Sequence, residues 1–292
     1  MDSRKELGEF LASRRAKITP QQAGLSHYGT NRRVPGLRRQ EVAMLADLSV
    51  EYLTRLERGN TSGVSDSVLQ ALSRALQLDE AETSHLFDLA RTARSETSLR
   101  KPATSRVRPS VLRVMDSMAG APALVVNGRL DILASNPLGD ALYAPVFETQ
   151  KLPANLATFA FFDPHAREFY PDWEAVVDGA VALLRTEAGR DPSNKSLTQL
   201  VGELATRSDE FRVRWGRHDV RLHYRGDKRF EHPVVGELTL AFDALELPAE
   251  RGQTLTVYTA APDTPDAEKL QLLSSWAATT APQREHRVAD RS

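Results

Sequence analysis

Cysteine is absent from the 292 residues, which excludes disulfides and thiolate metal sites. No apolar run approaches the roughly 18 residues that a membrane-spanning helix needs. The opening Met1-Asp2-Ser3-Arg4-Lys5-Glu6 lacks the apolar stretch of a signal peptide, so a cytoplasmic location is expected. An excess of one charge is missing too: 38 Lys and Arg stand against 39 Asp and Glu, for a net charge of −1. Near-neutrality argues against indiscriminate coating of nucleic acid and suits a protein that must find particular sites. The chain has no Gly-x-Ser-x-Gly elbow, no phosphate-cradling glycine loop and no internal repeat. Nucleophilic and nucleotide chemistry are therefore poorly supported, and an enzyme is not expected.

What is present is an ordinary globular composition, 41% apolar and 26% charged, over a length that suits two domains. The most informative stretch is Gly36 to Gly59. Leu37, Val42, Leu45 and Ala46 give one short helix an apolar face, and Val50, Leu53 and Leu56 give a second. Ala43 is small where two helices must cross closely. Asp47 sits at the turn between them, where a left-handed residue is often needed and Asp tolerates that conformation. Ser49 is a natural N-cap and Gly59 a natural stop. The pattern is a helix-turn-helix, whose second helix lies in the DNA major groove. Glu51, Tyr52, Thr54, Arg55 and Arg58 fall off the apolar stripe and, with Ser49, Arg38, Arg39 and Gln40, are the expected DNA contacts. Arg55 is the best base reader, because a guanidinium bonds guanine O6 and N7 together. The alternative for Arg55 and Arg58 is a solvated helix face, with Glu51 pairing at i,i+4. From Arg14 to Gln40 there are seven basic residues (Arg14, Arg15, Lys17, Arg32, Arg33, Arg38 and Arg39) and no acidic ones, a candidate phosphate-binding strip.

The surrounding sequence completes an all-α, five-helix N-terminal domain over residues 1–95. A first helix is expected over 4–17, with Leu7, Phe10 and Leu11 on one face. A long loop follows over 18–36, then the motif, then helices at about 67–76 and 79–93. Residues 96–109, polar and basic with two prolines, read as a linker. The second domain, 110–278, is mixed α+β with an antiparallel sheet. A short helix around Val111–Met118 precedes two strands, Ala123–Asn127 and Arg129–Ala134. Pro137–Phe147 reads as helical and is followed by loops. Trp173–Thr186 carries a strong helical stripe, Leu197–Leu204 marks another helix, and Phe211 and Trp215 mark a short one. The period then changes to two: Val220–Tyr224 as a strand, Arg225–Lys228 as a turn, then strands Val235–Leu247 and Thr254–Ala260, and a closing helix Pro265–Trp276. Helices on one side of this sheet are expected to enclose a space able to hold a small molecule. The polar stretch 279–292 reads as a disordered tail.

Phe159, Phe161, Phe162, Phe169, Tyr170, Trp173 and Trp215 lie in aromatic-rich segments. Each taken singly reads as core packing; as a group, joined by Val177, they line a candidate apolar pocket. An acidic ligand needs a cation or donor for its carboxylate. Arg212, Arg214, Arg217 and His218 are the candidates, and helix phase does not choose among them. A rival reading makes His218, Asp219 and His223 a metal-dependent hydrolase site on a DNA-binding protein, although their spacing matches no metal signature. Hydrogen-bonded histidines near the sheet are the simpler account, with His232 before Pro233 as a structural corner. A third reading gives the second domain only a dimerising role.

Val34-Pro-Gly-Leu-Arg-Arg-Gln-Glu-Val-Ala43 through Tyr52-Leu-Thr-Arg-Leu-Glu-Arg-Gly59 resembles the Xre-type helix-turn-helix of MmyB-like transcriptional regulators. Asp163–Trp173, Phe211–Val220 and Lys228–Leu238 resemble that family's ligand-binding domain. The resemblance covers about residues 4–276. It implies a lambda-repressor-like head, a PAS-like second domain, a fatty-acid-like ligand and a repressor role. One departure is Asp47, where this family usually has Gly. The expected partners are double-stranded operator DNA, a small hydrophobic ligand and a second copy of the chain as homodimer. No cofactor and no metal are expected.

Overall fold

Five helices form where the apolar spacing places them: α1 (Ser3–Lys17), α2 (Arg39–Leu45), α3 (Val50–Glu57), α4 (Asp66–Ala75) and α5 (Glu80–Arg94). The computed structural model describes residues 3–25, 34–61, 64–94, 106–219, 225–250, 252–280 and 287–288. Leu7, Phe10 and Leu11 of α1 join Leu37, Val42, Ala43, Leu53, Leu56, Leu69, Leu72, Leu86 and Leu89 in one buried core. Each of these leucine, valine and phenylalanine side chains contributes about 1.5–3 kcal/mol on burial. Leu45 departs from its expected place. It stands at the end of α2 beside Met44, which is 64% exposed, and helix phase turns both away from the core that takes Val42, Ala43 and Ala46. Gly59 ends α3 at φ +83°, and a Cβ there would lie 2.7 Å from the Arg4 carbonyl oxygen, so only glycine lets α1 pass this closely.

The chain forms two compact units that are not contiguous in sequence. The first joins Met1–Arg100 with Arg185–Val201 and Val213–Leu222. The second joins Lys101–Leu184, Gly202–Arg212 and His223–Ser292.

In the second unit, α6 (Pro109–Ser117) precedes the hairpin β1 (Ala123–Asn127) and β2 (Ile132–Ser135). Then come α7 (Pro137–Leu142), α8 (Ala144–Thr149), α9 (Leu156–Phe162), α10 (Ala166–Phe169) and α11 (Trp173–Arg190). Helices α12 (Lys195–Arg207) and α13 (Asp209–Trp215) follow, then β3 (Arg225–His232), β4 (Gly236–Glu246), β5 (Gln253–Thr259), α14 (Pro265–Thr280) and the two-residue β6 (Arg287–Val288). The strands make one antiparallel sheet in the order β3-β4-β5-β1-β2-β6.

Several expectations change here. Residues 156–169, read as loops, hold α9 and α10. Their aromatic density hides the helical period, and Asn155 caps α9 by accepting the Thr158 amide. Arg225–Lys228, read as a turn, instead begins β3, paired from Arg225↔Asp243 to His232↔Gly236. The turn lies at the other end, after His232. The expected strand over 220–224 lies outside the described residues. Helices cover both faces of the sheet rather than one. Leu124 and Ile132 face a large aromatic core, while Ala123, Val125, Leu133 and Leu255 face Val111 and Met115 of α6. Alternation of side chains along a strand produces this division. Within the stretch read as a disordered tail, β6 pairs with β2.

Candidate DNA interface and ligand core

The turn of the helix-turn-helix is built by Asp47, whose φ of 54° is left-handed. Around it the Leu48 amide donates to the Ala43 carbonyl at 2.9 Å. Aspartate thus supplies the conformation that glycine supplies more cheaply. Ser49 caps α3, its hydroxyl accepting the Tyr52 amide at 3.0 Å. At the start of α2, Glu41 accepts the Arg38 amide at 2.6 Å. Both helix starts are therefore fixed, and the residues expected to face DNA project from anchored backbone.

Arg38, Arg39, Gln40, Ser49, Glu51, Arg55 and Arg58 are exposed, while Tyr52 and Thr54 are half-buried. The Arg55 guanidinium lies over the Tyr52 ring at 5.4 Å, rather than pairing with Glu51. Among the described residues, neither Arg55 nor Arg58 makes an ion pair. Thr54 spends its hydroxyl on the Val50 carbonyl at 2.7 Å. Arg39 bonds Glu57, which also receives Arg15 at 2.6 Å and is nearly buried. Glu57 thus ties α3 to α1 and to the start of α2. Arg32 and Arg33 lie outside the described residues.

Four cations of the expected phosphate strip pair within the protein instead, Arg39 with Glu57 as above and three more on α1. Arg14 is only 4% exposed and pairs with Glu82 at 3.0 Å and Asp219 at 3.4 Å. Lys17 also pairs with Asp219, and Arg15 with Glu57. A helix rich in Arg reads as a basic face in sequence; its partners at positions 57, 82 and 219 carry no local signal.

The same unit holds Trp215 and His218, which were expected in the ligand pocket. The buried Arg185 guanidinium bonds Glu6 and the Trp215 carbonyl and stacks on the Trp215 ring at 4.1 Å. It also donates to His218 Nδ1 at 2.9 Å. Burial, reinforced by Arg185 and Arg14, lowers the His218 pKa to about 4. Burial beside the same cations lowers His85 to about 3. His85 packs edge-on against Phe10 at 5.1 Å, and a Cβ on Gly189 would come within 2.5 Å of its ring. His223 of the metal reading lies outside the described residues. Among the described residues no group of three His, Cys, Asp or Glu side chains is placed to hold a metal.

In the second unit Phe159, Tyr170, Trp173 and Val177 do come together, all buried in one core with Tyr143, Phe169, Phe230 and Tyr258. Phe159, Phe169 and Tyr170 pack ring on ring at 4.7–6.0 Å. Trp173 donates its indole N–H to the Ala160 carbonyl at 2.8 Å. Phe162 is at the edge, half-buried under the Arg207 guanidinium at 4.0 Å. Arg212 is exposed and pairs with Asp209 at 2.6 Å, one helical turn away. His232 is a satisfied corner: Nδ1 accepts the Val234 amide at 3.2 Å, which leaves Nε2–H to donate to the Ala141 carbonyl at 3.0 Å.

The residues that sequence reasoning missed are Tyr143, Tyr258 and above all Lys228. The Lys228 amine stands over the rings of Tyr170 at 4.6 Å, Phe230 at 5.4 Å and Tyr143 at 5.6 Å. It donates to the Tyr143 hydroxyl at 3.3 Å, and that hydroxyl bonds the Tyr258 hydroxyl at 2.5 Å. Desolvation pushes the Lys228 pKa down to about 7. The available signal was the alternation Lys228, Phe230, His232, lost when Arg225–Lys228 was read as a turn.

Residues 107–273 match the model of the MmyB-like transcription regulator ligand binding domain. Residues 6–86 match a helix-turn-helix domain. No curated protein matches the chain, and no helix among the described residues is long and apolar enough to cross a membrane. The ligand-binding match spans more than half of the sequence and the DNA-binding match covers the motif built around Asp47. The chain belongs to the MmyB-like transcription regulators, DNA-binding proteins that carry a ligand-binding domain.

Proposed function

We propose that this chain is a cytoplasmic, operator-specific repressor whose second domain binds a fatty-acid-like ligand that changes its affinity for DNA. Residues 1–95 act as the DNA head, 96–109 as linker and 110–278 as a PAS-like sensor, and the protein works as a homodimer. Paired recognition helices read paired half-sites. The observation that carries the DNA reading is the anchored α3, which presents exposed Arg55 and Arg58 without an ion pair among the described residues. Arg38, Arg39, Gln40, Ser49, Glu51, Tyr52 and Thr54 border it, with Arg32 and Arg33 as further backbone contacts. Support for the ligand reading is the aromatic core around Phe159, Tyr170, Trp173 and Val177, with Phe162 at its edge. That core lies on the sheet face opposite α6. Coupling between the two sites of about 1–3 kcal/mol, 5–150-fold in affinity, is enough for a switch.

The test begins with selection of an operator from random duplexes by the full chain, followed by fluorescence anisotropy with and without dodecanoate. A selected consensus whose affinity changes severalfold with dodecanoate is expected. Absence of any sequence preference would overturn the regulator reading. Arg55→Ala is expected to lose about 1–3 kcal/mol of discrimination at one base position. Equal loss on operator and random DNA would make Arg55 a phosphate contact only.

A further inference from the structure

We propose that Lys228 is the receptor for the ligand's carboxylate, so that the second domain selects free aliphatic acids over neutral lipids of the same length. The inference rests on the ligand reading above and deepens it.

Lys228 lies in β3 with Phe230 and His232 on the face that packs against the aromatic core. Its amine meets π faces on three sides and one hydroxyl, that of Tyr143. An ammonium has three donors, and the bond to Tyr143 is long. The groups that face Lys228 come from several elements. Tyr143 follows α7, Tyr170 follows α10, Tyr258 lies in β5, and Phe230 lies in β3. All three tyrosines are buried, and burial raises their pKa values. They stay neutral near pH 8 and supply no negative charge. Among the described residues no carboxylate forms an ion pair with Lys228. A half-buried lysine walled by aromatic rings without a counter-ion is a poor device for stability, because a partly desolvated charge is costly unless paired. It is a good device for receiving one anionic oxygen pair, since the low dielectric that penalises the lone cation strengthens its attraction to an arriving anion.

The acid supplies the missing partner. Its carboxylate oxygens accept the unspent amine donors, and its chain runs along the apolar side chains that surround the rings. An alcohol or ester of equal length supplies no charge. The arrival of a carboxylate also stabilises the protonated amine, so that above pH 7 an amine that is neutral in the free protein takes up a proton from solvent on binding. The competing account is that the three rings alone satisfy the ammonium by cation–π attraction, in which case no anion is required.

The experiment is calorimetric titration of the full chain with dodecanoate and with dodecan-1-ol, both below their aggregation limits, using wild type, Lys228→Met and Lys228→Arg. Wild type is expected to favour the acid over the alcohol by about ten- to hundredfold, the range of one hydrogen bond to a charged group. Lys228→Met should lose that preference and keep its affinity for the alcohol, and Lys228→Arg should retain part of it. Titrations at pH 8 in two buffers of different ionisation enthalpy give an independent reading on wild type alone: net uptake approaching one proton per dodecanoate, and none for the alcohol. Equal dodecanoate affinity in wild type and Lys228→Met would overturn the role of Lys228 while leaving the lipid reading intact. If wild type binds neither compound, the aliphatic-ligand reading fails and the lysine inference fails with it.

Discussion

In the first unit, buried Arg14 and Arg185 face Glu82, Asp219 and Glu6, whereas in the second the Lys228 amine faces phenols and a phenyl ring. The contrast separates buried guanidinium groups that are paired from a half-buried amine that has no carboxylate beside it among the described residues. The arginines carry opposite charges close by, and their planar guanidinium groups suit fixed, multiply bonded positions. Arg185 reaches Glu6, His218 and the Trp215 carbonyl at once. The lysine has a flexible stem, a single donor bond to Tyr143 and a pKa brought down to about 7. In the first arrangement the charges are paired, although Arg14 Nε and Arg185 Nε are buried without a hydrogen-bond partner; in the second the amine has no carboxylate to pair with among the described residues.

Removing Arg185 should break this contrast most severely. Arg185→Met leaves the largely covered Glu6 without its guanidinium, and a loss of about 3 kcal/mol is expected, the lower end for broken buried pairs. Chemical denaturation reads it, and the double variant Glu6→Leu with Arg185→Met should recover much of the loss. If the single variant costs nothing, the arginine cluster is not a stabilising element.

Acid should act next. His218 and His85 have folded pKa values of about 4 and about 3, below the ordinary 6.5. Between those values and 6.5 the unfolded chain binds more protons than the folded one, so stability falls as pH is lowered through that window. Glu6, whose pKa burial raises, acts in the opposite direction and offsets part of the loss at the acid end. Urea unfolding at pH 7, 6 and 5 should show decreasing midpoints. His218→Gln should flatten the dependence, and an unchanged slope would show that His218 is not kept neutral.

A smaller gain is expected from Asp47→Gly. The left-handed φ of 54° penalises aspartate, and glycine removes that penalty at some entropic cost in the unfolded chain, for a net gain of roughly 0.5 kcal/mol. A lower melting temperature would show that the Asp47 side chain itself stabilises the turn. The smallest effect is expected at Lys228. Without ligand, Lys228→Met at pH 7 should change stability by less than about 0.5 kcal/mol, because a polar group without a counter-ion is replaced by an apolar one of similar length. A loss as large as that for Arg185→Met would mean that the rings satisfy the ammonium, and the contrast would disappear.

The helix-turn-helix was legible because its signals are local: apolar spacing, a cap at Ser49, a turn residue at Asp47 and a stop at Gly59. Long amphipathic helices such as α11 were legible for the same reason. Leu45 was misplaced because a seven-residue helix has too little length to fix its phase. Helices α9 and α10 were hidden by Phe-rich sequence that reads apolar on every side. Of the aromatic core, Phe159, Tyr170, Trp173 and Val177 were legible as a group, whereas Trp215 and His218, read beside them by neighbourhood in sequence, lie in the other unit. Lys228 was missed because Arg225-Gly-Asp-Lys228 has turn composition, and only the register with β4 makes it strand. The partners of Arg14 and Arg185 lie up to 205 positions away, beyond any local pattern.

Those distant partners limit how freely the DNA-binding head can be exchanged. Residues 6–86 look portable, a cassette to be cut out and spliced onto another sensor. Yet Glu6 and His85 meet Arg185 and Gly189, and Lys17 meets Asp219. A chimera that carried only the first hundred residues would arrive with an orphaned carboxylate at Glu6 and an uncovered imidazole at His85. Transplanting this head intact therefore means transplanting the returning segments as well, and evolution faces the same constraint when it recombines such regulators.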